Sequence, residues 1–245
     1  MTVAKLRTVK MPRYALSFDG VDDYVDCGNP PSLSPTEAIT LMAWIKREEV
    51  NDYGMVIGKG SSYLLGYYNN NRIFFNFYNG TSWLTNIYSN TVITHQEWHH
   101  IAATYDKNQA KVKIYINGEL DKEASVTPYN IYQSTYSVYI GYMQGWAQHW
   151  HLQGKIALAA IFNRALTDEE IADMYNNKIP TDGIVLLLEA NPDYIKDIDN
   201  DGILELIDLS GNGNHGKIYG ATLVEHLIVP KRPAQPPLRV STAVR

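Results

Sequence analysis

The sequence predicts an all-β fold in which two antiparallel sheets pack face to face as a sandwich, together with one short helix. Residues 111–116 alternate between polar and apolar side chains and lead into Asn117-Gly118, a dipeptide typical of two-residue hairpin turns. Residues 39–45 are apolar on both faces, as expected of a central strand. Many short strands separated by regular turns favour an antiparallel sandwich.

Four further segments fit the pattern of short β-rich runs. Residues 72–78 are rich in aromatic and β-branched side chains and also end in an Asn-Gly dipeptide. The other predicted strands are 101–105, 137–140 and 155–162.

One helix is predicted at about 167–178. Thr167 and Glu170 have the spacing of a capping box, in which each side chain bonds the other residue's amide. Pro180 lies just beyond the predicted end. We expect the helix to lie against the sandwich through one apolar stripe, formed by Ile171, Met174 and Tyr175.

Composition excludes several classes of protein. Of the 245 residues, 45% are hydrophobic and 19% are charged, which is typical of a globular chain and not of a disordered one. A single cysteine excludes an internal disulfide and any metal cluster built on several cysteines. No apolar run reaches the roughly 18–20 residues needed to span a bilayer, so we expect no membrane insertion.

Charge divides the chain into an acidic body, residues 14–225, and two basic arms, residues 1–13 and 226–245. Such arms could hold neighbouring copies in a homo-oligomer, or they could simply keep loose ends solvated. Because the body is acidic, we expect no nucleic-acid partner.

Residues 197–208 have the spacing of an EF-hand-type calcium loop. Ca²⁺ prefers six to eight hard oxygen ligands, and Gly202 stands where such a loop turns sharply. We expect Leu204 to anchor the loop to a core. The alternative is an acidic turn without metal. The predicted ligands are Asp197, Asp199, Asp201, the Ile203 carbonyl, Glu205 and Asp208. Asp208 stands where a bidentate Glu is usual, so the expected affinity for calcium is weaker.

A second candidate site lies in residues 142–151, where two Trp and two His fall within one short loop. Aromatic rings can stack on sugar faces while amides supply hydrogen bonds. The alternative is that Trp150 packs inward. Residues 67–71 form a separate polar aromatic turn that could join the same rim, or could be a plain hairpin loop. The candidate ligand-binding residues are Gln144, Trp146, Gln148, His149, Trp150, Tyr67 and Tyr68.

Several segments together resemble the laminin-G-like, or concanavalin A-like, jelly roll. They are residues 14–25, residues 98–106 leading into 113–118, residues 154–156 and residues 163–171. The resemblance covers about residues 14–225 and implies a jelly-roll sandwich of a kind that mostly binds glycans or proteins.

One segment departs from the order of this family. Residues 208–216 and 221–225 look like a segment that precedes the Phe-Asp-Gly motif in many relatives, yet here they follow the helix. A circular permutation explains this order and places Thr222–Glu225 beside residues 13–16. The competing account is a truncated second repeat without a partner sheet.

Catalytic signatures are missing from the sequence, including the alternating carboxylates of jelly-roll glycosidases and the Gly-x-Ser-x-Gly elbow. We therefore expect a non-enzymatic binding or adhesion module for a glycan or protein surface. The alternative is a structural subunit of a virion or surface assembly. Either function indicates an extracellular, virion-surface or cell-surface location, and no signal peptide is visible, which is compatible with cytoplasmic synthesis and assembly.

Overall fold

Two large antiparallel sheets form the protein in the computed structural model, which confirms the predicted all-β sandwich. The structure describes residues 6–8, 12–48, 53–68, 71–84, 86–145 and 150–225. Within these ranges it contains one α-helix, α1 (Asp168–Tyr175), and two 3₁₀ turns, Pro31–Leu33 and Pro192–Tyr194. No helix among the described residues is long and apolar enough to span a membrane.

The strands are short and follow one another along the chain. The first ten are β1 (Leu6–Thr8), β2 (Tyr14–Asp19), β3 (Tyr24–Asp26), β4 (Ala38–Arg47), β5 (Tyr53–Lys59), β6 (Tyr63–Tyr68), β7 (Arg72–Phe77), β8 (Ile87–Val92), β9 (Trp98–Asp106) and β10 (Lys111–Ile116). The others are β11 (Glu119–Ser125), β12 (Val138–Ile140), β13 (Gln153–Phe162), β14 (Lys178–Pro180), β15 (Ile184–Glu189), β16 (Ile195–Lys196), β17 (Glu205–Leu206), β18 (Gly216–Tyr219) and β19 (Thr222–Glu225).

Two large sheets contain all of these strands except β1 and β14, which form a separate two-stranded pair. Sheet I has eight strands in the order β11-β10-β9-β4-β13-β2-β19, with β15 also paired to β13. Sheet II has nine strands in the order β16-β17-β18-β3-β12-β5-β6-β7-β8.

Strand β4 is buried on both faces, as the sequence predicts for a central strand. Leu41 and Ile45 point into the core between the sheets. Trp44 points the opposite way into a second cluster, where Ile171 and Met174 of α1 cover sheet I.

The helix has the predicted capping box. The Thr167 hydroxyl accepts a bond from the Glu170 amide, and the Glu170 carboxylate accepts one from the Thr167 amide. The helix ends at Tyr175, earlier than predicted, because residues 178–180 form β14 and pair with β1.

The predicted proximity of the two chain segments is confirmed. Strand β19 pairs with β2, with Glu225 opposite Tyr14, and Arg13 forms an ion pair with Glu225. A truncated repeat without a partner sheet is contradicted, because residues 184–225 supply β15 and β19 to sheet I and β16–β18 to sheet II.

The described part of the N-terminal arm contacts its own domain. Strand β1 pairs with β14, and the Arg7 guanidinium donates to the Leu209 carbonyl at 3.1 Å. This arginine therefore has a partner within the same chain. The C-terminal arm, residues 226–245, lies outside the described residues.

His100 on β9 is fully buried beneath the helix. Its ring lies 5.4 Å from the Trp44 ring and 5.9 Å from the Tyr175 ring, centroid to centroid. Neither of its ring nitrogens has a hydrogen-bond partner within the part of the chain that the structure describes. Burial lowers the pKa of His100 from 6.5 to about 3.

Replacing His100 with Phe is expected to reduce the acid sensitivity of the fold. Below pH about 6.5 the unfolded imidazole binds a proton that the folded one does not, so the free energy of unfolding falls as pH is lowered. Between pH 7.5 and 5 this contribution is about 2 kcal/mol in the unmodified chain. Urea denaturation across this range measures the difference, with His95→Gln as the control. Parallel pH profiles for the unmodified chain and His100→Phe would contradict this assignment.

Candidate functional site

The outer face of sheet II carries a group of tyrosines. Along β3 the side chain of Val25 enters the core, so the alternation of the strand turns Tyr24 outward. The neighbouring strands add Tyr219, which is directly opposite Tyr24, and Tyr139, which is opposite Asp26. We call Tyr24, Tyr139, Tyr142 and Tyr219 the tyrosine platform.

The rings of the tyrosine platform contact one another. Tyr24 stacks on Tyr219 with centroids 4.8 Å apart and meets Tyr139 edge-on at 5.6 Å. Tyr142 lies 5.2 Å from Tyr139 and stacks on the buried His151 ring at 4.4 Å. All four tyrosines are half-buried, so each retains exposed surface on a supported ring. The result is a preorganised aromatic surface.

Three of the platform tyrosines, Tyr24, Tyr139 and Tyr142, have a raised pKa and are neutral phenols at physiological pH. Burial raises the pKa of Tyr24, and Tyr219 and Asp26 raise it further. Burial, followed by Asp26, also raises the pKa of Tyr139. The Tyr139 hydroxyl donates to the side-chain oxygen of Gln144 at 3.1 Å. This contact places one of the sequence-predicted ligand residues at the platform.

The first part of the predicted calcium loop gathers three exposed carboxylates. Oxygen atoms of Asp197, Asp199 and Asp201 all lie within 4.8 Å of one another. Asp197 accepts bonds from the Asp201 and Gly202 amides, both at 3.1 Å, which hold the turn closed around it.

Lys217 connects this loop to the tyrosine platform. Its ammonium donates to Asp199 at 2.8 Å and also to Asp201. Hydrogen bonds with these two carboxylates raise the pKa of Lys217, and the same contact lowers that of Asp201. Because Lys217 and Tyr219 are two residues apart on β18, both lie on the outer face, and the loop borders the platform.

Asp208 does not join the three carboxylates, and its assignment as a metal ligand is corrected. Its buried carboxylate accepts bonds from the Leu187 amide at 3.0 Å and the Asn214 amide at 3.0 Å. It also accepts bonds from the amide and hydroxyl of Ser210 at 2.9 and 2.7 Å. With four protein donors, this carboxylate fixes the 208–214 turn against β15.

The remaining loop residues take different positions. Glu205 is buried and accepts a bond from the Ile198 amide at 2.9 Å, while the Ile203 amide donates to Asp201. Their role as calcium ligands stays a prediction. The expected core anchor at Leu204 is wrong, since its side chain is 53% exposed. Leu206 is buried in its place.

A second aromatic group lies farther along the outer face of sheet II. Trp150 is buried and stacks on Tyr53 and Tyr68 at 5.3 and 5.2 Å. Beneath it lie Leu64 and Phe74. The indole therefore packs inward, while Tyr53 and Tyr68 are each 37% exposed.

Tyr67 is placed in the core, so the prediction that it contacts a ligand is wrong. It is fully buried, with the Arg47 guanidinium 4.2 Å above its ring. Tyr67 and Tyr68 belong to strand β6 and not to a loop, so their side chains face opposite sides of the sheet. Three other predicted ligand residues, Trp146, Gln148 and His149, lie outside the described residues.

The platform tyrosines were missed by the sequence interpretation. The available signals were the 18 tyrosines of the chain and their alternate positions on predicted strands. Their mutual contact depends on the pairing of β18 with β3 and of β3 with β12, and residues 24, 139 and 219 are far apart in sequence.

A polar groove lies on the other side of the molecule. It has a volume of about 450 Å³ and is bordered by β9, β10 and the start of α1. Lys113 lines it and donates to Asp168 at 2.7 Å, so the charges of these two residues offset each other.

Comparison with known proteins identifies the family. The laminin-G family model of the concanavalin A-like lectin/glucanases superfamily matches residues 19–172. The chain belongs to this superfamily. A search of curated protein sequences finds no match.

Solved structures share the fold at low sequence identity. A candidate carbohydrate-binding protein from Bacteroides ovatus is 17% identical, with a TM-score of 0.70 over 88% of this chain and 60% of its own. A pentraxin from Limulus polyphemus is 16% identical, with a TM-score of 0.55 over 71% of this chain and 85% of its own. The CBM40 domain of a Ruminococcus gnavus sialidase is 14% identical, with a TM-score of 0.58 over 67% of this chain and 98% of its own.

Replacing Asp208 with Ala is expected to destabilise the fold by about 3 kcal/mol or more. The change strands four donors, one of them the buried Leu187 amide, and buried donors without partners are costly. Urea denaturation measures the loss, and the exposed Asp193→Ala in the preceding turn is the control. A loss below about 1 kcal/mol would show that the turn does not depend on this carboxylate.

Proposed function

We propose that this chain is a non-enzymatic glycan-binding module that holds sugars on the outer face of sheet II, at the tyrosine platform. The proposal rests on the placement of four tyrosine rings on the solvent side of the sheet, where Tyr24 contacts each of the other three. Each of these rings is half-buried and keeps part of its surface open to solvent, and an ordered group of such rings on one face of a sheet is typical of a binding surface.

The chemistry of the platform suits a sugar ligand. The apolar face of a sugar ring can stack on a tyrosine, while phenol hydroxyls and the Gln144 amide form hydrogen bonds with sugar hydroxyls. Tyrosine also supplies contact area at a low cost in conformational entropy, since the side chain has few rotatable bonds. The contacts among the rings reduce that cost further, because the rings are ordered before a ligand arrives.

The names of structurally similar proteins support a carbohydrate ligand. One is the candidate carbohydrate-binding protein of Bacteroides ovatus, and another is the Ruminococcus gnavus CBM40 domain, also solved with α2,3-sialyllactose. The chain spans 60% of the Bacteroides ovatus chain, so only a domain-level function is proposed from this likeness.

We further propose that residues 197–201 bind Ca²⁺ and that the ion braces the edge of sheet II. Three carboxylates so close together repel one another unless a cation lies among them. The Lys217 ammonium binds two of these carboxylates but supplies only one positive charge. A calcium ion would supply a larger charge at the same place and would take ligands from Glu205 and the Ile203 carbonyl if they turn toward it.

The alternative function, as a structural subunit, depends on the two basic arms at the ends of the chain. Oligomerisation through residues 1–13 and 226–245, in a virion or surface assembly, stays a prediction. An extracellular, cell-surface or virion-surface location is proposed with either function.

Replacing Tyr24 with Ala is expected to weaken glycan binding at least tenfold, because it removes the ring that contacts the other three platform tyrosines. A glycan array identifies the ligand, and calorimetry then measures both proteins. Tyr129→Ala removes an exposed tyrosine away from the platform and is the matched control. A blank array with the unmodified chain, or equal affinity of Tyr24→Ala, would refute the proposal.

Calcium is expected to raise the melting temperature of EDTA-stripped protein by a few degrees and to slow hydrogen exchange first in residues 190–215. Asp197→Asn should abolish both effects because it removes the carboxylate around which the turn closes. Asp193→Asn lies just before the loop and should preserve them. Uniform exchange with and without calcium would contradict a bracing role.

A further inference from the structure

The charges around the tyrosine platform are mostly negative. Asp26 follows Tyr24 by two positions on β3, and its charge acts on both Tyr24 and Tyr139. Asp22 also acts on Tyr24 from the preceding turn. At the other border of the platform lie the carboxylates of the 197–201 loop.

The basic groups near the platform have acidic neighbours. Lys217 is the single basic residue in the three platform strands, β3, β12 and β18, and its ammonium is bound by Asp199 and Asp201. Lys196 lies on the edge strand β16, opposite Glu205 and about 10 Å beyond Lys217 at the usual strand spacing.

A further basic residue, Arg72, lies too far from the tyrosine platform to offset the negative charge there. Arg72 is on β7, opposite Tyr68 in the second aromatic group. That strand is three strands beyond β12, or about 14 Å at the usual spacing, which exceeds the screening length of about 8 Å at physiological salt.

We infer that the tyrosine platform selects neutral glycans and disfavours glycans that carry a sialic acid or uronic acid beside the stacked sugar. This inference rests on the proposed function. An ionised sugar carboxylate placed on the platform would meet Asp22 and Asp26, while Lys217, the basic residue of the platform strands, is already bound to Asp199 and Asp201. In this respect the chain would differ from the Ruminococcus gnavus CBM40 domain solved with α2,3-sialyllactose.

The size of the effect follows from Coulomb's law. Two carboxylates about 6 Å from a third, in water, weaken binding by about tenfold at low ionic strength. Screening at 150 mM salt reduces this penalty to about threefold. A stacking ligand without charge has no such dependence on salt.

The test uses an array that presents neutral oligosaccharides beside their sialylated and uronic-acid counterparts. EDTA is present throughout, so the charge of the 197–201 loop stays constant. We expect the neutral member of each bound pair to bind about threefold more tightly at 150 mM salt and about tenfold more tightly at 10 mM.

The variant Asp26→Asn should reduce the ratio of the affinity for the neutral glycan to the affinity for its acidic counterpart. The asparagine oxygen can still accept the bond from the Gly28 amide at 2.7 Å, so the turn is kept while the charge is lost. The matched control is Asp106→Asn, which removes a carboxylate from a similar turn on sheet I, where it accepts a bond from the Asn108 amide at 2.8 Å. The control should leave the ratio unchanged.

Three results would overturn the inference. Equal or tighter binding of the acidic members would show that the face accepts anionic sugars, and loss of that binding in Arg72→Ala would place them on the second aromatic group. A ratio that does not change with salt would exclude electrostatic selection. Binding of no glycan at all would refute the proposed function and this inference with it.

Discussion

Side chains on a β-strand alternate between two faces, and this alternation determines both the core of the protein and its candidate site. Each strand of sheet II must give one face to the core, and Val25, Ile140 and Ile218 fill that role on the three platform strands. Their neighbours then have to point outward. On these strands the outward positions hold tyrosines, a lysine and an aspartate, so the same alternation that buries the core also builds the aromatic surface.

The segment 184–225 completes both the fold and the candidate site. Its strands close sheet I through β15 and β19 and extend sheet II through β16–β18. Asp208 fixes the turn between these contributions by bonding the Leu187 amide and the turn that leads into β18. Strand β18 in turn delivers Tyr219 to the platform and Lys217 to the acidic loop. Stability of this segment and the shape of the site are therefore coupled.

Features set by neighbours in sequence could be predicted, whereas features set by distant partners could not. The capping box at Thr167 and the 197–202 turn involve residues within five positions of one another, and the structure contains both. Asp208 has the spacing of a metal ligand but finds donors 21 residues away at Leu187, which no local pattern indicates. The sequence around Tyr67 resembles a polar turn, and only the position of Tyr67 in β6 shows that it faces Arg47. The platform required knowledge of strand order, since its tyrosines come from three separate parts of the chain.

The glycan-binding surface can be mapped directly from backbone amide chemical shifts, recorded during titration with a neutral oligosaccharide selected on an array. If glycans bind at the tyrosine platform, the largest changes will fall in residues 24–26, 139–144 and 217–219, with smaller changes near Tyr53 and Tyr68. Changes concentrated in the groove on sheet I, around Thr104, Lys113 and Thr167, with the platform amides unmoved, would contradict binding at the platform.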